Sequence, residues 1–319
     1  MGLESLALKL ANPARIGLTP ELVTRLGLAS EETTRGRLMA QLEGDRSHLG
    51  VYLLGCYVVD DTDFWGDGEI YWWSIPVIVD AAGGVLRDPL YGLPNGMEPH
   101  RVGSLEWMTN IPLADPPLLA VIPPGDAARS CVIRLAFYDD DRAPANLPAA
   151  MTAGLEAFAA LPTGALPGPE HVINPVREAI WQSLKAYQDD ILIDQDLILR
   201  HGETSLFGRG LVGSVINAMA RVYYFVADEQ TTERFGPVTL HKGQVAQVKF
   251  DSPLRGGGRV ALFARGADVS CSAFGDLSTD KPFMNQVIDS RQEAAFRDGF
   301  SVQGLGAAKL VAYYTPPKG

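Results

Sequence analysis

Short apolar runs with the composition of β-strands dominate the chain from Gly50 onward. VYLLGCYVV, EIYWWSIPVIV, GSLEWM, LLAVI and CVIRLAFY are rich in Val, Ile and aromatic residues, and Gly, Pro and Asp separate them. Runs of this kind are typical of antiparallel β-sandwiches. In EIYWWSIPVIV both alternating sets of residues are apolar, which predicts a strand covered on both faces. Pro76 predicts a bulge or an edge within that strand.

Helical patterns interrupt the strands in the N-terminal half. Thr19, followed by Pro20 and Glu21, is a good helix start, and Ser30 offers a second one. Pro148 predicts a short helix through MTAGLEAFAAL, and Asn174-Pro175 predicts the start of another, which stops at Gln188-Asp189-Asp190. The latter carries an apolar stripe at Val176, Ile180 and Leu184. The following ILIDQDLILR predicts a strand with Asp194 and Asp196 on one face.

A second series of strand-like runs begins after residue 206. LVGSVINAMARVYYFVA, PVTLHKGQVAQVKF, GRVALFARG, DVSCSAFG and AKLVAYY predict strands, with turns expected at 228–236 and 276–299. The fold class predicted is mainly β, with two antiparallel β-sandwich domains and added helices in the N-terminal half. The predicted division is a helical segment at 1–48, a sandwich with a helical insertion at 49–206 and a second sandwich at 207–319, because 319 residues is long for one core.

Charge and cysteine usage narrow the classes of function. The net charge of −11 argues against a nucleic-acid partner, which needs a positive surface, and it disfavours membrane binding. Cys56, Cys131 and Cys271 are odd in number and widely spaced, so we expect buried thiols rather than a disulfide framework. The start of the chain lacks the pattern of a secretory signal, and no run is long enough to span a bilayer. A cytoplasmic protein is therefore expected.

Three clusters of acidic residues are the clearest chemical feature. They follow or precede strand-like runs, and aspartates in such segments supply the oxygen ligands that Ca²⁺ takes. If the three segments emerge at one end of one sandwich, they can share one or two ions, whereas aspartate is otherwise a common turn residue. The predicted metal ligands are Asp60, Asp61, Asp63, Asp67, Glu69, Asp139, Asp140, Asp141, Asp189 and Asp190.

The acidic runs DDTDFWGD, YDDD and DDILIDQD give the chain a resemblance to a known family. It resembles the C2-like calcium-binding modules, in which aspartates from separate loops at one tip of an eight-stranded sandwich share calcium ions. The resemblance implies Ca²⁺ as the cofactor. Two departures are the long spacing between the acidic runs and the lack of an evident basic strand, and these weaken any expectation of lipid binding.

Motifs for nucleophilic catalysis are missing, so no catalytic residue is predicted. The sequence has no G-x-S-x-G elbow, and its five histidines lie in dissimilar contexts. The segment from Tyr91 to Gly103, with Glu98, His100 and Arg101, is predicted to be a long loop and is a second candidate site. A carboxylate pair with Tyr71, Trp72, Trp73 and Trp107 stacking on sugar rings is the pattern of a glycoside hydrolase.

Three functions remain open from the sequence. The first is a calcium-binding β-sandwich protein that acts in binding or self-assembly, with a protein partner or a second copy of itself. The second is a carboxylate-dependent hydrolase that acts on a glycan or an ester. The third is a membrane-active, toxin-like protein that uses LVGSVINAMARVYYFV. The acidic clusters favour the first function, and a binding protein over an enzyme.

Overall fold

The computed structural model describes sixteen segments of the chain. These are residues 16–28, 49–58, 69–89, 91–101, 109–112, 118–122, 130–139, 146–162, 166–184, 190–200, 220–228, 233–249, 259–265, 269–273, 285–288 and 299–315. The predicted helix start at Ser30 lies outside them. Among the described helices, none combines the length and the apolar character needed to cross a membrane.

The described chain is mainly β, as the pattern of apolar runs predicts. Its three helices are α1 (Pro20–Arg25), α2 (Leu147–Ala160) and α3 (Glu170–Leu184). Its strands are β1 (Leu49–Val58), β2 (Glu69–Val79), β3 (Val85–Leu86), β4 (Asn95–Arg101), β5 (Thr109–Pro112), β6 (Leu118–Ile122), β7 (Ser130–Asp139), β8 (Asp190–Arg200), β9 (Ala220–Asp228), β10 (Glu233–Leu240), β11 (Val245–Lys249), β12 (Arg259–Arg265), β13 (Val269–Ala273), β14 (Asn285–Ile288), β15 (Gly299–Gly304) and β16 (Ala308–Thr315).

The strands form four antiparallel sheets. The central sheet has the order β3-β2-β7-β8, with β4 also paired to β2. A second sheet is built on β1, which pairs with β5 and β6 along one edge and with β9 along the other. The C-terminal part of the chain contributes sheets of order β10-β16-β12-β14 and β11-β15-β13. Because β9 pairs with β1, the two parts of the chain separated at residue 206 share a sheet; the predicted domain division stays a prediction.

The central sheet is buried on both faces. Tyr71 and Trp73 of β2 belong to a core cluster with the three helices, whereas Ile70 and Trp72 belong to a second cluster with the β1 sheet. The prediction of a strand apolar on both sides is thereby confirmed. Since the two tryptophans are each 1% exposed, these side chains are core residues and are not available to stack on a sugar ring, the use that the hydrolase hypothesis gave them, whereas Trp107 lies outside the described residues.

Pro76 lies in a short stretch of β2 that has a paired strand on only one side in the described part of the chain. β2 pairs with β4 from Glu69 to Ser74 and with β3 at Ile78 and Val79. A proline has no N–H to donate to a ladder, so this interval accommodates it at little cost. The predicted local edge is found here.

The helices begin close to their predicted positions, with one exception. Thr19 Oγ1 accepts a hydrogen bond from Leu22 N at 3.3 Å and caps α1. α2 includes Pro148 in its first turn. However, α3 begins at Glu170 and not at Asn174-Pro175, so that prediction was wrong. The apolar stripe extends one turn further back, to Val172, which is 1% exposed, and packing of this turn overrides the proline signal.

Two predicted turns in the C-terminal part contain strands. β10 begins at Glu233, inside 228–236, and pairs with β16, while β14 lies inside 276–299 and pairs with β12. Both segments are polar or only four residues long, so the sequence pattern does not reveal them. Their backbone hydrogen bonds to a neighbouring strand stabilise them instead.

Candidate functional site

One end of the central sheet collects the attachment points of all three acidic segments. Glu69 is the first residue of β2, Asp139 is the last residue of β7 and Asp190 is the first residue of β8. Asp139 lies opposite Ile70 on one side and opposite Asp190 on the other. We call this region, defined by Glu69, Asp139 and Asp190, the acidic end.

Antiparallel pairing is the reason for this convergence. β7 runs against both β2 and β8, so the start of β2, the end of β7 and the start of β8 fall at the same edge of the sheet. Residues 59–68 precede β2, residues 140–145 follow β7 and residues 185–189 precede β8. The three acidic segments therefore join the sheet side by side.

Seven of the ten predicted ligands lie outside the described residues. They are Asp60, Asp61, Asp63, Asp67, Asp140, Asp141 and Asp189. Within the described segments, no group of three or more His, Cys, Asp or Glu side chains is placed to hold a metal ion. The structure thus fixes where the acidic segments attach, and their role as metal ligands stays a prediction.

Asp139 is the predicted ligand whose side chain the structure places. It is 3% exposed, and the preceding Tyr138 is 2% exposed and stacks on Tyr71 with ring centroids 5.0 Å apart. Transfer of a carboxylate from water to such a setting is costly unless charge or hydrogen bonds compensate it. The buried carboxylate at the end of β7 is therefore a part of the acidic end that depends on such compensation.

Most of the second candidate segment, predicted as a loop from Tyr91 to Gly103, is a strand. Residues 95–101 form β4, in which Arg101 lies opposite Glu69 and His100 opposite Ile70. Gly96 contributed to the prediction of a loop, but it lies in the strand for a steric reason. A Cβ at this position would lie 3.0 Å from Trp72 O and 3.1 Å from Met151 Sδ. Close approach of β4 to β2 and α2 favours glycine at this position, and the Gly/Pro content of this segment falsely indicated a long loop.

An ion network on β7, β8 and α3 is the feature that sequence reasoning missed. Arg134 Nη1 lies 3.2 Å from Asp194 Oδ1, and Arg134 Nε lies 2.8 Å from Asp196 Oδ1. Arg177 Nε donates to Asp194 Oδ2 at 3.1 Å, and Arg177 Nη2 contacts the same oxygen. Asp194 is 12% exposed, so these charge-assisted contacts form in a partly desolvated place.

The network changes the interpretation of the third acidic cluster. Asp194 and Asp196 lie on one face of β8, as the alternation predicted, but arginines of the same chain neutralise them. The hydrogen bond that Arg177 donates to Asp194 raises the pKa of the Arg177 guanidinium, in opposition to burial, which lowers it. These two aspartates therefore have a structural role. Only the long-range pairing of β7 with β8 reveals Arg134 as their partner.

A shallow crevice beside α2 has a structural explanation. Its lining includes Arg87, Tyr91 and Phe158. Arg87 Nη1 donates to Leu161 O at 2.8 Å and its Nη2 donates to Phe158 O at 3.3 Å, so the guanidinium caps the C-terminus of α2. Burial lowers the pKa of Arg87. The pKa of Tyr91 is raised, mainly by burial and secondarily by the negative charge of Asp88.

Comparisons with known proteins add little to this geometry. No family model matches the chain, and no curated protein matches it. A structure of human GIVD cytosolic phospholipase A2 with methyl γ-linolenyl fluorophosphonate inhibitor and terbium chloride covers 86% of this chain at 7% identity with a TM-score of 0.28. The same human enzyme with the fluorophosphonate alone, and without it, gives 10% identity and a TM-score of 0.27.

These similarities are a loose resemblance in fold. The chain spans about a third of the length of the phospholipase chains, which it covers to 32–33%. A TM-score this low carries no information about activity, substrate or bound ions.

Proposed function

We propose that this protein binds Ca²⁺ at the acidic end and uses the ion-bound form in binding or self-assembly. The observation that carries the proposal is the cross-strand row in which Asp139 lies between Ile70 and Asp190, because it attaches three aspartate-rich segments to one edge. The C2-like resemblance of the sequence supports the same arrangement, in which aspartates from separate segments share an ion at one end of a sandwich.

Charge balance in the sequence supports a cation as the missing partner. Residues 59–68 contain four aspartates and no lysine or arginine. Like charges at this density repel each other unless solvent or a cation screens them. Ca²⁺ accepts six to eight oxygens in flexible geometry, whereas Mg²⁺ demands a stricter octahedron and retains water. A set of up to ten carboxylates from three segments suits Ca²⁺ better.

Binding of the ion would hold the three segments in one arrangement. Ligands that come from separate strands are together only in the folded chain, so ion binding stabilises that state by mass action. A partner surface built from these segments would then be present only when calcium is bound. This coupling is the basis of the proposed calcium-dependent binding or assembly.

A thermal melt of chelator-treated protein tests the proposal. At about 100 times the dissociation constant, Ca²⁺ should add about 2.7 kcal/mol to the free energy of unfolding and raise Tm by roughly 5 °C or more. Mg²⁺ at the same concentration should raise Tm by less. The Asp61→Asn/Asp63→Asn/Asp140→Asn variant should lose the calcium shift.

A charge-matched variant serves as the control. Glu21→Gln/Glu156→Gln/Glu178→Gln removes the same number of charges from exposed positions on α1, α2 and α3. It should keep the full calcium shift. An equal shift in all three proteins would place the ion elsewhere, and the absence of any shift would reduce the aspartates to solvated turn residues.

A further inference from the structure

We infer that β8 is the edge at which two copies of this chain pair in antiparallel fashion. The inference rests on the self-assembly half of the proposed function and names its partner, a second copy. β8 is eleven residues long and, in the described part of the chain, β7 is its one paired strand. An edge of this length is a ready template for another strand.

The sequence of β8 has a nearly two-fold pattern about Gln195. In DILIDQDLILR, Asp194 and Asp196 flank this centre, followed on each side by three aliphatic residues. The ends differ in charge, with Asp190 at one and Arg200 at the other. Antiparallel pairing of two copies about Gln195 would place apolar positions beside apolar positions and each acidic end position beside a basic one.

Exposed apolar side chains mark the same strand. Ile191 is 44% exposed and Ile198 is 45% exposed, and the third large hydrophobic residue that the described segments expose is Leu305, at 39%. The two isoleucines lie on opposite sides of Gln195. In the paired form, Ile191 of each copy would lie opposite Leu199 of the other and Ile198 opposite Leu192, so each exposed isoleucine would gain an aliphatic neighbour across the strands.

The ion network removes the usual obstacle to such pairing. Charged residues in the middle of an edge strand normally prevent association, and pairing about Gln195 brings Asp194 of one copy beside Asp196 of the other. Here Arg134 contacts both carboxylates of its own chain, and Arg177 adds a second positive charge at Asp194. The centre of the strand is thus close to neutral and tolerates a second copy.

A single cysteine at the symmetry centre tests the geometry directly. Opposed Cα atoms in antiparallel strands are about 4.5–5.5 Å apart, which a disulfide can bridge. Gln195→Cys should therefore form a disulfide-linked dimer in air, whereas wild type and the exposed control Leu305→Cys, treated in the same way, should not. A monomeric Gln195→Cys, or an equal dimer yield from Leu305→Cys, would overturn the inference.

A charge on the edge gives a second, reversible measurement. Ile198→Lys should reduce the dimer fraction by about tenfold at fixed concentration in light scattering coupled to size exclusion, since a lysine on an edge strand opposes pairing. Leu305→Lys is the matched control and should leave that fraction unchanged. Equal behaviour of the two variants would count against β8.

Calcium separates failure of this inference from failure of the proposed function. The Gln195→Cys experiment is run once with chelator and once with Ca²⁺. Cross-linking under both conditions would support the β8 interface and would show that it does not depend on calcium. A calcium-dependent rise in Tm without any cross-link would support the ion site and would contradict the β8 interface.

Discussion

Strand β8 carries aspartates at its middle and at its start, and their cross-strand neighbours differ. Asp194 and Asp196, in the middle of the strand, contact Arg134, and Arg177 holds Asp194 from α3. Asp190, at the start of the strand, lies opposite Asp139, the end residue of a second acidic segment. Arginines of the same chain thus neutralise Asp194 and Asp196, whereas the strand register places Asp190 opposite another aspartate.

The difference concerns where the counter-charge comes from. An internal arginine makes a carboxylate part of the fold, since both partners are covalently present and the pair forms whenever the chain folds. A group of carboxylates without enough internal cations is stabilised by an ion from solution, and its energy then depends on the concentration of that ion. Aspartates that are close in sequence can belong to either case. The residues that lie beside them on adjacent strands decide which case applies.

Removal of Arg134 should have the largest effect on the free energy of unfolding. Arg134→Met should lower the free energy of unfolding by about 2 kcal/mol, because Asp194, at 12% exposure, would lose one of its two arginines and Asp196 would lose its ion pair. Urea denaturation with and without Ca²⁺ measures this effect. The loss should be the same under both conditions.

The control for that measurement is Arg25→Met on α1. Arg25 is exposed in the last turn of a short helix, so its loss should change the free energy of unfolding by less than about 0.5 kcal/mol. If Arg134→Met were no more destabilising than Arg25→Met, the ion network would have no structural role.

Alkaline pH should leave the ion network intact and affect a different group of the same sheet. The raised pKa of Arg177 keeps its charge, whereas complete burial raises the pKa of the Cys131 thiol far above its ordinary value of 9.0. The unfolded chain ionises this thiol above about pH 9 and the folded chain does not. Stability should therefore be fully present below pH 9 and fall by up to about 1.4 kcal/mol per pH unit above it.

Cys131→Ala separates this contribution from the others. The variant should be less stable at neutral pH because of the space left in the core, but its decline above pH 9 should be shallower than that of wild type. Urea midpoints from pH 7 to pH 10 give both slopes. Parallel slopes in the two proteins would assign the alkaline loss to another group, such as Tyr91, whose pKa is also raised.

In chelator, loss of charge from the acidic segments should change the free energy of unfolding in the opposite direction from loss of Arg134. In chelator, Asp61→Asn/Asp63→Asn should raise the free energy of unfolding by about 0.5 kcal/mol, because fewer like charges repel each other. In Ca²⁺ the same variant should be less stable than wild type. Thermal melts under both conditions provide the comparison, and a variant that is less stable in chelator as well would indicate internal counter-charges for these aspartates.

The sequence predicted features that depend on neighbouring residues. The two apolar faces of β2, the cap at Thr19 and the stripe from Val176 to Leu184 follow from local periodicity, and all three are present. The helix start at Asn174-Pro175 was wrong because burial of Val172 adds a turn that propensity alone does not predict.

Features that depend on distant residues were missed. β4 contains Gly96, which fits because of the approach of β2 and α2, and β14 forms because β12 is beside it. Arg134 and Asp196 are 62 positions apart, and only the pairing register brings them together. The aspartates were found from the sequence, but which of them the chain neutralises internally could be learned only from the sheet.

The main proposal is that calcium supplies the counter-charge of the acidic end. Equilibrium dialysis of chelator-stripped protein against Ca²⁺ tests it most directly, with wild type compared with Asp61→Asn/Asp63→Asn/Asp140→Asn and with the charge-matched Glu21→Gln/Glu156→Gln/Glu178→Gln. We expect saturable calcium binding by wild type and by the charge-matched control, and its loss in the aspartate variant. Equal binding by all three proteins, or none by any of them, would contradict it.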